Sequence, residues 1–327
     1  MNAPLHGIKV IDLSRVLAGP WATQLLADYG AEVIKVEKPG DGDDTRHWGP
    51  PWLESSRPGT ARESAYFLST NRHKRSITVD LSVPEGQRIV ADLAADADIF
   101  VENFRVGTMQ KFGLHSAALL ERNPRLIYCS ISAYGQNGSR SGRPGYDAMM
   151  QAEGGLMSIT GEPDEQGGTP QKVGVAISDI MTGMYATTAI LAALEARHRS
   201  GTGQFIDLSL YHCQVAWLAN QGQNYLLSGK APGRLGTAHP NIVPYQSFRT
   251  SDGNIMLAVG NDRQFTDCLA CIGCGDLLQD SRFSTNAGRV EHREELIARL
   301  SSAFMLKTSA EWLEILSKKN IPAGRVN

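Results

Sequence analysis

The stretch IKVIDLSRVLAGPWATQLLADYGAEVIKVE, residues 8–37, decides the fold. Residues 8–13 form an apolar run, residues 21–29 have the periodicity of a helix, and residues 32–37 alternate as a strand does. A strand, a loop, a helix and a second strand in this order predict two parallel strands joined by a right-handed crossover. The first unit of the chain is therefore predicted to be of the β-α-β type.

The same alternation continues along the chain. The predicted elements are a strand at 75–81, a helix at 85–95, a strand at 98–102, a helix at 116–121 and a strand at 126–131. Strands that alternate with helices predict an α/β fold, a Rossmann-like parallel sheet with helices on both faces. The loops that follow such strands meet at one sheet edge, which is where α/β proteins bind ligands.

The composition changes at residues 228–240, which are rich in glycine, proline and basic side chains. We therefore predict a large domain over residues 1–227 and a smaller α+β domain over residues 228–327. In the second, residues 245–249 and 254–259 flank a turn sequence and predict a hairpin, and three helical patterns follow.

Composition excludes several classes of protein. Of the 327 residues, 42% are hydrophobic, which suits a globular chain. The net charge is -2, from 32 basic and 34 acidic residues, so no basic surplus points to nucleic acid. No signal-like segment opens the chain, and no run reaches the ~18 apolar residues of a membrane span. A cytoplasmic protein with no membrane partner is expected.

The five cysteines are odd in number, which argues against a disulfide framework and for reduced thiols. Cys268, Cys271 and Cys274 form a C-x2-C-x2-C run, but it lacks the fourth cysteine and the proline of an iron–sulfur motif. No metal is therefore expected. The isolated His47 and His239 are more typical of structural than of catalytic histidines, although both lie in polar loop sequences.

Asp179 precedes or opens a long apolar helix within residues 174–210. That helix is predicted to end at Gly201, after the basic residues 197–199. An aspartate in this place suits a helix cap, whose carboxylate accepts backbone N–H groups. It also suits a positioned nucleophile beside a pocket. The residues alone leave both interpretations open.

The loop of residues 14–20 joins the first strand to the first helix, where dinucleotide-binding proteins carry a glycine fingerprint. Only Gly19 falls in the loop and Pro20 removes an N–H donor, so neither nicotinamide nor flavin is expected. Basic and amide side chains instead gather at predicted strand ends, as an extended polyanion such as a nucleotide-tailed thiol would require. For any single one, a solvated surface charge is the simpler interpretation.

A collinear series of motifs points to a family. It comprises residues 7–10, 18–20, 30–37, 71–77, 101–104, 123–126, 145–147 and the Asp179 helix. The chain resembles the class III CoA-transferases, a family that includes formyl-CoA and carnitine CoA-transferases and the 2-methylacyl-CoA racemases. Residues 43–46, 48–51, 236–239 and 242–246 resemble the succinyl-CoA:glutarate (hydroxymethylglutarate) branch.

The resemblance implies that Asp179 is the nucleophile, that coenzyme A is a co-substrate, and that catalysis passes through an aspartyl-CoA thioester. Backbone N–H groups of residues 15–18 become candidates to stabilise the oxyanions. The implied CoA contacts are Arg15, Val16, Leu17, Ala18, Lys38, Arg72, Lys74, Val79, Asn103, Phe104, Lys111 and Arg143.

The same resemblance implies a substrate pocket at Arg46, Trp48, Tyr146 and His239. Tyr146 stands where the racemase branch has a histidine, which favours acyl exchange over racemisation because racemisation needs a second base. Residues 236–246 replace the glycine-rich lid of the oxalate enzymes, so short dicarboxylates such as succinate and glutarate are expected instead. Arg46 or Arg72 is the candidate for the distal carboxylate, with pairing of the arginine to Asp43 or Asp44 as the alternative.

Two other functions stay open, a 2-methylacyl-CoA racemase and a non-catalytic CoA-binding subunit. The family also implies an interlocked homodimer. Its members continue for several tens of residues beyond the segment that matches residues 321–324, whereas this sequence stops at Asn327. A natural short form and a fragment are both compatible with that difference.

Overall fold

The computed structural model describes residues 3–54 and 62–326. By contacts the chain divides into two compact units. The first is Met1–Leu156 with Lys172–Gly222, and the second is Met157–Gln171 with Gln223–Asn327. The sequence did not suggest that residues 157–171 would join the second unit. The predicted boundary after Leu227 stays a prediction, and Asn327, its far end, lies outside the described residues.

The first unit is built on a six-stranded sheet in which every neighbouring pair is parallel. The described strands of the first unit, in this sheet and in a separate pair, are β1 (Lys9–Asp12), β2 (Glu32–Glu37), β3 (Trp52–Leu53), β4 (Glu63–Ser64), β5 (Lys74–Thr78), β6 (Ile99–Glu102), β7 (Ile127–Ser132) and β8 (Phe205–Ser209). The sheet order is β5-β2-β1-β6-β7-β8, and β3 pairs with β4 separately. The predicted α/β class is confirmed; β8 was not predicted.

Helices cover both faces of this sheet. The helices of the first unit are α1 (Ala18–Asp28), α2 (Ala65–Thr70), α3 (Pro84–Ala95), α4 (Thr108–Lys111), α5 (Ser116–Arg122), α6 (Asp147–Glu153), α7 (Ile177–Ser200) and α8 (Leu210–Ala216); α9 (Ala219–Ser228) begins in the first unit and ends in the second. Successive residues of a strand serve opposite faces. Val10 packs in the core under α1 and α7, whereas Ile11 packs in the core under α3 to α5. This alternation explains why the central strands β6 and β7 are buried along their full length.

Helix α7 ends as predicted, with Gly201 in the left-handed conformation (φ 75°) and three basic residues in its last turn. Contrary to expectation, it is by length and composition alone apolar enough to cross a membrane. A core helix of a globular protein passes the same test. The buried residues of α7 pack against α1, α6, α8 and the strands β7 and β8, which is the packing of a core helix.

The second unit has its own core around a three-stranded sheet. Its elements are β9 (Tyr245–Arg249), β10 (Asn254–Ala258), α10 (Asp262–Ile272), α11 (Asn286–Glu291), α12 (Arg293–Phe304), α13 (Ser309–Ser317) and β11 (Ala323–Arg325). The hairpin β9–β10 and the helices that follow it confirm the predicted α+β character. All five cysteines are free thiols, and in the described part of the chain no three metal-ligating side chains cluster.

Close packing of α1 on α7 brings the N-termini of both helices to one place. A Cβ atom at Gly183 would lie 2.7 Å from the carbonyl oxygen of Ala18 and 3.0 Å from the indole Cδ1 of Trp21. Backbone cannot yield as a flexible side chain does, so only glycine permits this approach. The distance between the two helix starts therefore depends on Gly183.

We expect Gly183→Ala to lower the free energy of unfolding by about 1–3 kcal/mol, because the added methyl group forces α1 away from α7. Urea denaturation of the variant and the wild type measures the difference. Gly222→Ala is the matched control, since only the Leu218 side chain lies near that position in α9. Equal losses in both variants would contradict a special role for the α1–α7 contact.

Candidate active site

A solvent-open cavity of about 190 Å³ lies at the carboxyl edge of the parallel sheet in the first unit. Its walls come from the loop after β1, the loop after β6, the loop before α6 and the start of α7. Of the predicted site residues it gathers Asp179, Arg15, Val16, Leu17, Ala18, Asn103, Phe104, Arg143 and Tyr146. A cleft at this edge of a parallel sheet is where α/β proteins bind their ligands.

The loop after β1 is clamped by side chains from two neighbouring loops. The Asn103 amide accepts from the N–H of Arg15 (2.9 Å) and donates to the Arg15 carbonyl oxygen (2.7 Å). The N–H of Val16 donates to the Asp43 carboxylate (3.3 Å to each oxygen). Val16 has φ 69°, a left-handed conformation unfavourable for a β-branched residue. These bonds hold the strained loop against the cavity.

Buried ion pairs support this clamp from below. Lys35 donates to the Asp43 carboxylate (2.9 Å) and to the Ser14 carbonyl oxygen (2.8 Å), with both ionic side chains at most 1% exposed. Beside it, Lys74 contacts Asp12 (3.1 Å). Burial alone would raise the pKa of Asp12, but Lys74 and Lys35 lower it to about 2. Burial lowers the pKa of Lys74 to about 8.

Asp179 is the third residue of α7 and does not cap that helix. The N-cap position is Ala176, which offers no side-chain bond, and the N–H of Asp179 itself donates to Asp147 (3.2 Å). The cap interpretation is therefore wrong. No N–H or O–H of the described residues donates to the Asp179 carboxylate. Burial, and then the negative charge of Asp147, raise its pKa from 3.8 to about 7.

Two of the four N–H groups proposed as oxyanion donors are already engaged. Those of Arg15 and Val16 donate to Asn103 and Asp43. The N–H groups of Leu17 and Ala18, at the start of α1, have no acceptor among residues 3–54 and 62–326, and both residues line the cavity with Asp179. A helix start offers such unpaired donors together with a favourable dipole.

The remaining predicted CoA contacts do not line the cavity. Lys74 uses its ammonium on Asp12, Asn71 and the Pro20 carbonyl. Arg72 binds Asp28 with two nitrogens. Val79 lies in the core on the α3 face, and Lys111 is exposed at the end of α4. Lys38 pairs with Asp41 (3.2 Å) and with Asp44 (3.7 Å), which does line the cavity.

Among the predicted pocket residues, Arg46 is committed to other side chains. Its Nε and Nη2 donate to Glu37 (2.8 Å each), its Nη1 to Glu63, and its plane stacks on Phe67 at 3.7 Å. Glu37 and Glu63 are its partners, where Asp43 or Asp44 had been considered. The structure thus leaves no nitrogen of Arg46 without an acceptor.

The other three pocket residues differ in exposure. Trp48 is 42% exposed and makes an edge contact with Tyr66 at 5.0 Å. Tyr146, 68% exposed, lines the cavity at the N-cap of α6. His239 belongs to the second unit, where it stacks on Tyr245; burial and the charge of Arg293 lower its pKa.

Sequence reasoning missed the polar residues that surround the catalytic candidate. Asp147 lies beside Tyr146 in a motif that had been noted only for the tyrosine. Burial, and then the charges of Asp179 and Asp147, raise the pKa of Tyr66, so this tyrosine lies near both carboxylates. Asp43 stands in a noted motif as well. Motif membership was the available signal, but the side-chain partners depend on the fold.

A family profile described as CoA-transferase family III matches residues 5–327. The chain belongs to this family. The function predicted from the sequence, transfer of CoA between acids, is the activity of this family. Enzyme and CoA-transferase are therefore the correct classes for this protein.

Relatives match the chain over almost its full length. A succinate–glutarate CoA-transferase of Agrobacterium fabrum is 50% identical, over 99% of this chain and 80% of the relative. The human succinyl-CoA:glutarate CoA-transferase is 47% identical, over 99% of this chain and 72% of the relative. A crystal structure of a CAIB/BAIF family protein from Brucella suis has a TM-score of 0.86 and 49% identity, covering 100% of this chain and 85% of that one.

We expect Asp179→Asn to stabilise the protein at neutral and alkaline pH. The folded carboxyl has a pKa of about 7 against an ordinary 3.8, so ionising it costs stability, and the cost grows as pH rises from about 4 to about 7 and is then constant. Urea denaturation at pH 4 and pH 8 should show a gain of about 1 kcal/mol or more at pH 8 only. The same gain at both pH values would contradict a raised pKa.

Proposed function

We propose that this CoA-transferase moves CoA between short dicarboxylic acids such as succinate and glutarate, with Asp179 as nucleophile. The substrate class is supported by three relatives at 47–50% identity that are named for succinate and glutarate. The nucleophile is supported by one observation above all: the Asp179 carboxylate faces the cavity with no hydrogen-bond donor of its own among the described residues. An aspartate without a structural task is free to react.

The reaction begins when a carboxylate oxygen of Asp179 attacks the thioester carbon of the acyl-CoA. Collapse of the tetrahedral oxyanion breaks the C–S bond and gives a mixed anhydride and CoA thiolate. The thiolate then attacks the Asp179 carbonyl, which releases the first acid as its carboxylate and forms the aspartyl-CoA thioester. The acceptor carboxylate repeats these steps in reverse and leaves as the new acyl-CoA, with Asp179 restored.

The N–H groups of Leu17 and Ala18 supply the donors that each oxyanion needs. They are pre-positioned by the clamped loop and by the α1–α7 contact, so no reorganisation is required as charge develops. In this proposal coenzyme A lies in the cavity with its phosphate groups bound by the guanidinium groups of Arg105 and of Arg15, which also pairs with Asp44 (3.2 Å) on the cavity wall.

Recognition of the distal carboxylate falls to Arg143 in this proposal. Arg46 is saturated by Glu37 and Glu63, and Arg72 binds Asp28 outside the cavity lining. Arg143 lines the cavity three residues before Tyr146 and has no carboxylate partner in the described part of the chain. A guanidinium binds a carboxylate through two parallel hydrogen bonds, which a monocarboxylic substrate cannot exploit.

The homodimer and the cytoplasmic location are also proposals. The family resemblance supports the dimer. Helix α9 supports it too, since none of its residues is buried and Leu226 and Leu227 are 73% and 81% exposed. Exposed apolar side chains in such a group are typical of interfaces.

Incubation with succinyl-CoA should give a covalent CoA adduct on Asp179. Intact-mass spectrometry detects the adduct, and hydroxylamine should convert it to a hydroxamate on the peptide that contains Asp179. The Asp179→Asn variant, whose side chain is similar in shape but cannot attack, should give none. An adduct in that variant, or none in the wild type under turnover, would rule out Asp179 as the nucleophile.

Arg143→Ala should raise KM for glutarate roughly tenfold to a hundredfold, because a charged hydrogen-bond pair is lost. With pentanoate, which lacks the second carboxylate, the KM of the variant and the wild type should agree. Arg140→Ala is the matched control, since Arg140 stacks near Tyr134 and Tyr211 rather than on the cavity wall. An equal rise for both acids would instead assign Arg143 to CoA.

A further inference from the structure

The first turn of α7 is capped by a carboxylate from another helix. Asp147, the first residue of α6, accepts from the N–H of Ser178 (2.7 Å) and of Asp179 (3.2 Å) through the same oxygen, Oδ1. Helix α7 has no side-chain cap of its own at Ala176. The orphan donors at a helix start need acceptors, and here they come from 31 and 32 residues away in sequence.

A second residue of α6 completes this attachment. Gln151, fully buried, donates through Nε2 to Oδ2 of Asp147 (2.6 Å) and accepts through Oε1 from the N–H of Val173 (2.8 Å). Both oxygens of Asp147 are thereby fixed, and the segment that leads into α7 is tied to the same helix. The carboxylate of Asp147 cannot turn away from Asp179 without breaking these bonds.

Asp147 therefore fixes a negative charge beside Asp179. The other ionisable group that interacts with both carboxylates is Tyr66 from α2. On α8, Cys213 contacts Thr182, one turn further along α7. The remaining charged or ionisable cavity residues are Arg15, Asp44, Arg105, Arg143 and Tyr146. Among these neighbours, it is the negative charge of Asp147 that disfavours the ionised form of Asp179.

We propose that Asp147 is a positioning residue that orients Asp179 by capping α7 and drives it toward the acylated state by repelling its free carboxylate. The proposal rests on Asp179 being the nucleophile. Acylation converts the anionic Asp179 into a neutral anhydride or thioester and passes its negative charge to the CoA thiolate or to the released acid, so the repulsion between Asp147 and the Asp179 side chain is present before the attack and absent after it. The fixed charge therefore stabilises both covalent intermediates relative to the free enzyme.

A more basic carboxylate is also a stronger nucleophile. The cost is that less of Asp179 is ionised at acidic pH, so adduct formation should rise with pH through about 7, the pKa of that carboxyl. Removing the charge of Asp147 should move this rise to lower pH. At a pH where Asp179 is ionised in both the wild type and the variant, it should also lower the equilibrium ratio of adduct to free enzyme. A cap with no electrostatic role would change neither.

The test uses Asp147→Asn, which keeps a carbonyl oxygen for the two N–H groups and removes the charge, together with the bond from Gln151, because two amide NH2 groups then face each other. Single-turnover adduct formation from succinyl-CoA is followed by intact mass between pH 5 and 9. We expect the pH midpoint to fall by about one unit. We also expect the equilibrium adduct-to-free ratio at pH 8.5 to fall up to about tenfold, the factor that one pKa unit represents. Glu153→Gln, on the same helix but bonded to Tyr134, removes an equal charge and should change neither quantity.

Asp147→Ala separates the two parts of the role. It removes the acceptor as well as the charge, so we expect adduct formation to slow at least tenfold beyond Asp147→Asn, with KM for succinyl-CoA little changed. Should that variant fail to fold, the pH midpoint of Asp147→Asn still decides. A midpoint and adduct ratio in Asp147→Asn equal to the wild type would overturn the proposal. Absence of the adduct in the wild type would instead contradict the assignment of Asp179 as the nucleophile.

Discussion

The buried ammonium of Lys35 is the constraint on which the rest of the site depends. It projects from β2, binds the Ser14 carbonyl and the Asp43 carboxylate, and has no contact with solvent. A buried ion pair contributes little net stability, but removal of one partner leaves an uncompensated charge and is costly. The pair therefore specifies geometry. It sets Asp43 where it holds the strained Val16, and with it the two free N–H groups at the start of α1.

Polar contacts at the start of α7, the second helix that reaches the cavity, follow the opposite pattern. The N–H groups of Arg15 and Val16 in the β1 loop have assigned acceptors and only those of Leu17 and Ala18 stay free, whereas Asp179 is a partly buried acid with no donor of its own in the described structure. Burial without a hydrogen bond destabilises the ionised form. Such strain persists only where surrounding structure imposes it, and here Gly183 and Asp147 impose it, by close packing and by capping. The site thus combines a wall held in place by hydrogen bonds with a carboxylate that accepts none in the described structure.

Most of the fold could be predicted from the sequence, because period and composition are local signals. The β-α-β unit, the parallel sheet, the end of α7 at Gly201 and the hairpin β9–β10 all follow from spacing within short windows. Strand β8 was not predicted because Phe205–Ser209 is short and lies between two stronger helical signals. The sequence also did not predict that residues 157–171 join the second unit, because this depends on contacts between distant segments, which no local pattern encodes.

The site was predictable in its residues and not in its bonds. Asp179, Tyr146 and the loop after β1 were found, and the structure brings them to one cavity. The pairing of donors with acceptors was not found, because the sequence pattern around a carboxylate is the same whether it caps its own helix or another. Asp179 stands in a favourable position for a cap, and local preference alone would assign it that task. The fold gives the task to Asp147 instead, at 2.7 Å from the N–H of Ser178. A carboxylate at a helix start is thus available for chemistry only when another group satisfies the helix, and that condition can be read from three-dimensional contacts alone.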